Sequence, residues 1–145
     1  MYKVKMDGQT LYYPGDKEAV LTKPTLNPQT GYAGTFEFLV PPNNPLYDKI
    51  KNRSSMVSVF RDTTEIFYGE VRKQPKIDRY RNKNVYCAGA MSFLADSIQP
   101  QAEYHDMTPR QMLETFLDIH NNQVEDRKKV YLGKVTITDA NDSLY

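Results

Sequence analysis

Tyr32-Ala-Gly-Thr-Phe-Glu-Phe-Leu-Val-Pro-Pro-Asn-Asn-Pro-Leu-Tyr-Asp-Lys-Ile50 is the stretch that decides how this chain folds. Phe36, Phe38 and Val40 alternate with Thr35, Glu37 and Leu39, the two-residue period of a strand with one buried face. Pro41 and Pro42 cannot donate to a ladder, so the strand stops there. Asn43-Asn44-Pro45 turns the chain, and Leu46, Tyr47 and Ile50 follow at helical spacing, which predicts a short helix at about 45–52. The stretch carries no nucleophile, base or ligand set. It points to a protein that works by assembling.

Outward from this stretch the pattern stays β-rich. Tyr2, Val4 and Met6 alternate with Lys3 and Lys5, and Asp7-Gly8 offers a tight turn into Leu11-Tyr12-Tyr13. Ala19 to Leu26 reads as a strand broken by Pro24. Met56 to Phe60 and Glu65 to Val71 read as a hairpin turned at Arg61-Asp-Thr-Thr64, and the polar residues 74–84 as a loop or distorted hairpin tip. Val85 to Phe93 is an apolar strand whose Ala88, Gly89 and Ala90 admit close approach of another backbone. From Met107 the character changes. Thr108-Pro109-Arg110-Gln111 combines an N-cap, a proline at the first helical position and a glutamine able to close a capping box. Met112, Leu113, Phe116, Leu117 and His120 give that helix an apolar face, with Asn121-Asn122 at its end. Val130 to Thr138 reads as a further strand. The expected fold is mainly β with an α+β second part, dividing into residues 1–100 and 101–145.

A length of 145 residues suits one domain, or one plus part of a second. With 39% apolar and 26% charged residues the composition is that of a soluble globular protein. Nineteen basic and eighteen acidic residues leave a net charge of +1, so no global field recruits nucleic acid or anionic lipid. A single cysteine, Cys87, excludes an intramolecular disulfide and suits a reducing compartment. No signal-peptide core or membrane-length apolar run is visible. Eleven tyrosines fit either the outer faces of strands or protein interfaces.

Candidates for chemistry are few. Cys87 with His105 or His120 would make a nucleophile pair only if the fold brought them together; within its strand pattern Cys87 reads as a buried, inert thiol. His105 beside Asp106 reads as a loop histidine, and His120 as a partner for carbonyls at a helix end. Asp139-Ala-Asn-Asp142 has calcium-loop spacing without the turn glycine or distal glutamate. Arg72, Lys73, Lys76, Arg79, Arg81 and Lys83, with Tyr80 among them, form a basic aromatic cluster. It suits phosphates and a stacked base, or a solvated hairpin tip, or a charged contact with a neighbouring subunit. Phosphate-loop, dinucleotide, serine-hydrolase and zinc-protease motifs are absent from the sequence. No catalytic, cofactor-binding or metal-binding residue is assigned.

Read together, Gly34 to Ile50, Val57-Ser-Val-Phe-Arg-Asp62, Glu65-Ile-Phe-Tyr-Gly-Glu-Val71, Cys87-Ala-Gly and Leu94-Ala-Asp-Ser-Ile-Gln99 resemble a known family. It is the N-terminal hub region of phage and prophage tail proteins, labelled prophage tail endopeptidase or phage minor structural protein. The resemblance runs on through Met107-Thr-Pro-Arg and the closing Asn141 to Tyr145. It implies a small β-barrel hub domain over residues 1–100, and from 101 the start of an inserted helix-plus-strand module that continues beyond this chain. It also implies a virion protein of the tail tip, made in the bacterial host cytoplasm and without enzymatic activity in this region. The implied partners are further copies, as a trimer, and other tail proteins such as the distal tail protein. Membrane binding is not implied, nor nucleic acid except DNA passing through the assembled channel. The family's turn after Val-Phe-Arg-Asp is often Asp-Gly; here it is Asp62-Thr63. The peptidase label refers to parts beyond the hub, and no residue here carries that activity over.

Overall fold

The computed structural model describes residues 1–137. The chain divides into two compact units, Met1–Ser92 and a second that begins at Phe93. The first is an antiparallel sheet of β1 (Tyr2–Met6), β2 (Gln9–Tyr12), β3 (Thr22–Asn27), β4 (Thr35–Val40), β5 (Met56–Arg61), β6 (Thr64–Val71), β7 (Lys76–Ile77) and β8 (Lys83–Gly89). The strand order is β2-β1-β5-β6-β8-β4-β3, with the two-residue β7 attached to β8. The fold is therefore mainly β, a half-barrel whose two ends, β2 and β3, each have a single neighbour. The expected barrel is not closed by the described residues.

Alternation builds its core. Val4 lies opposite Val59 and Met6 opposite Val57, while Phe36 faces Cys87 and Phe38 faces Val85. All eight are buried, so one face of the sheet carries a continuous apolar layer. The Phe36 ring centroid lies 4.8 Å from Phe38 and 5.9 Å from Phe67. Between β5 and β6 the register shifts after Val59, leaving Ile66 as an extra residue packed against the core beside Phe67. Gly69 and Gly89 are paired across β6 and β8. A Cβ on Gly89 would lie 1.8 Å from the Ala33 carbonyl oxygen, and one on Gly69 2.3 Å from that of Ala88. These are the close approaches expected along β8.

The segment after Pro41-Pro42 departs from expectation. In place of a helix over 45–52 there is one 3₁₀ turn, Tyr47–Lys49, after which Ile50 returns to extended backbone. Leu46, Tyr47 and Ile50 are all buried, as a plug against the sheet core. Asn44 fixes the plug. Its Nδ2 donates to the carbonyls of Leu11 (2.9 Å) and Val20 (3.0 Å), and its Oδ1 accepts from the Leu46 amide (2.9 Å). One buried side chain thus bridges the end of β2 to the lead-in of β3, where no ladder joins them.

Two further boundaries move. β8 ends at Gly89, and Ala90–Asp96 is 3₁₀ helix where the sequence suggested strand to Phe93. Residues 130–137 form no strand, against the expectation for 130–138. There the Asn121 side chain takes both backbone groups of Val130, donating to its carbonyl and accepting from its amide at 2.9 Å each. It supplies the pairing a neighbouring strand would have given. The helix α1 (Pro109–Asn121) forms as read, with its capping box closed: Gln111 N donates to Thr108 Oγ1 (3.2 Å) and Thr108 N to Gln111 Oε1 (2.9 Å).

Candidate interaction surface

The apolar face of the half-barrel stays open where β2 and β3 fail to meet. A groove of about 620 Å³ lies there, lined by Tyr2, Val4, Tyr12, Leu21, Pro24, Leu26, Pro28, Phe36, Val59 and Ile66. Each of the two edges contributes a half-buried side chain, Tyr12 from β2 and Leu26 from β3. Both edges are blunted. β2 is four residues long. In β3 the register slips between Thr22 and Thr25, where Lys23 is left-handed (φ 50°) and Pro24 has no amide hydrogen. Such devices keep an unpaired edge from indiscriminate pairing while leaving its side chains presented.

The basic aromatic cluster is divided by the fold. Arg72 Nε lies 3.0 Å from the carboxylate of Glu70, which is fully buried. Lys73 sits 4.0 Å over the Tyr86 ring. Lys83 Nζ donates to the Tyr47 carbonyl at 2.6 Å and lies 4.0 Å from the centre of that ring. Arg72 and Lys83 are half-buried in these contacts, while Lys73 stays exposed over its ring. Lys76, Arg79 and Arg81 remain exposed at the hairpin tip, with Ile77 (62% exposed) and Tyr80 (66%). The tip is fixed by Asp78, whose Oδ1 accepts from the amides of Tyr80 (2.8 Å) and Asn82 (2.9 Å), while its Oδ2 accepts from Asn82 Nδ2 (2.9 Å). The bond from the Asn82 side chain leads in holding the Asp78 carboxyl below its ordinary value.

None of the chemical candidates lines the groove or belongs to the tip. Cys87 is fully buried in the apolar layer, and burial pushes its thiol far above the ordinary value. His105 is exposed, 3.7 Å from Glu103. His120 is buried, with Nδ1 2.8 Å from Ser97 Oγ and Nε2 3.1 Å from the Lys128 carbonyl. It ties the end of α1 to two neighbouring segments. Among the described residues no three His, Cys, Asp or Glu side chains gather as metal ligands, and the Asp139–Asp142 motif lies outside them. No helix among them is long and apolar enough to cross a membrane.

Sequence reasoning missed the groove and the Asn44 bridge, which depend on strands distant along the chain. It also missed the Glu70–Arg72 pair. The two-residue spacing between Glu70 and Arg72 is that of one strand face, and that signal was present although β6 ends at Val71.

No protein-family model matches the chain, and the curated proteins contain no sequence similar to it.

Proposed function

We propose that this protein is a non-enzymatic structural component of the distal tail tip, or baseplate hub, of a long-tailed phage or prophage. In that role it links the tail tube to host-facing fibre or lysin. The observation that carries the reading is the open half-barrel: an apolar groove flanked by two sheet edges supports completion of the surface by neighbouring polypeptide. Obligate interfaces bury roughly 2,000 Å² or more, and an unfilled apolar groove is the kind of surface they cover. The sequence resemblance supports the same role. Immunogold labelling of tailed particles from the organism carrying the gene tests it. Label at the distal tail end is expected; particles with a complete tail tip and no label there would overturn the proposal.

A further inference from the structure

The exposed tip between β7 and β8 and a concavity along α1 have opposite charge and matched character. The tip presents Lys76, Arg79 and Arg81 around Ile77 and Tyr80, and Asp78, the carboxylate within it, has both oxygens engaged internally. The concavity, about 340 Å³, is lined by Asp106, Met107, Gln111, Glu114, Thr115 and Asp118. Three carboxylates and a half-buried methionine there face no lysine in the lining; Arg110 reaches Glu114 at 2.8 Å from the helix surface. The other two concavities do not complement the tip: the groove is apolar, and a smaller hollow on the sheet mixes Glu37 with Lys73 and Lys76.

We infer that the tip of one copy docks in the acidic concavity on α1 of a second copy. The inference rests on the assembly reading above and names the surfaces that carry it. Arg and Tyr are the residue types that dominate protein interfaces, and the Asp78 hydrogen bonds order them before contact. Because the two surfaces differ, the contact either closes as a reciprocal two-fold pair, each tip in the other copy's concavity, or propagates head-to-tail into a ring or a chain. Its dependence on exposed charge makes it sensitive to salt.

Sedimentation velocity at low salt, over a concentration series, tests this with charge reversals at exposed positions. The wild-type chain is expected to self-associate. R79E/R81E and E114K/D118K, each with an unchanged melting midpoint, are expected to weaken association by at least about tenfold. An equimolar mixture of the two variants is expected to restore it, since each then offers the other an opposite surface. Wild-type-like association of either variant alone, or no association in the mixture, overturns the tip–concavity contact and leaves the assembly reading standing. A wild-type chain that stays monomeric throughout also overturns the contact, and the tail-tip reading is then decided by the labelling experiment alone. Binding of labelled oligo-dT that is lost in R79E/R81E, without self-association, reassigns the tip to single-stranded nucleic acid.

Discussion

Asn44 does at one position what a pair of strands does elsewhere. Its amide supplies donors to two carbonyls, at Leu11 and Val20, that no ladder reaches. Asn44→Ala is expected to cost about 2–4 kcal/mol in urea unfolding, because buried acceptors lose their donors. Arg72 is in a comparable position beside the buried Glu70 carboxylate. Arg72→Met takes the guanidinium away from that buried carboxylate, and a loss of roughly 3–5 kcal/mol is expected by the same measurement. Joint replacement by E70L/R72M is expected to recover much of it, since both charges then leave the interior. The Cys87 thiol is shielded by the sheet, so a disulfide-exchange reagent is expected to leave it untouched in the native protein and titrate it fully in urea.

Local elements carry their own consequences. The capping box at Thr108 sets where α1 begins, and Thr108→Ala is expected to lower stability by about 1 kcal/mol, read from the melting of the second unit. At the hairpin tip the Asp78 carboxyl is lowered from an ordinary value of 3.8 by its hydrogen bonds, first of all that from Asn82. The sign follows: a carboxylate favoured in the folded state stabilises fully above the unfolded value and less as pH falls through the lower folded one. The amide resonances of Tyr80 and Asn82 are therefore expected to hold their shifts through mild acid and move only below 3.8. Asp78→Asn keeps acceptor capacity in one oxygen, and the acid-dependent step is expected to vanish.

At the scale of the whole molecule the sheet is a half-barrel that leaves its apolar face reachable between β2 and β3. An environment-sensitive anilinonaphthalene dye is expected to bind the native protein there, and Leu26→Glu to reduce its fluorescence several-fold with little change in melting temperature. Unchanged fluorescence would show that the groove is not the accessible apolar surface. The shape of the sheet also rests on the contact between Gly89 and the Ala33 carbonyl. There even one added methyl group would meet backbone at 1.8 Å.

How much of this was legible in the residues follows from the range of the forces involved. Alternation gave β1 and β4, a hairpin reading about Arg61 to Thr64 gave β5 and β6, the Asp-Gly pair gave the turn at Asp7-Gly8, and Thr108 to Gln111 gave the start of α1, since each depends on neighbours a few positions away. The buried thiol and the close approach at Gly89 were readable from strand pattern and side-chain size. The 3₁₀ plug at Tyr47–Lys49 was not, because the segment is held by Asn44 bonds to Leu11 and Val20 and by packing on distant strands, which local spacing does not show. Nor was the fate of 130–137, where the Asn121 side chain took the backbone groups of Val130. The division of the basic cluster into two half-buried cations and four exposed ones came from partners at Glu70 and Tyr47. Short-range sterics and periodicity are written in sequence order; which edges stay open and which charges find partners depends on contacts that only the folded chain creates.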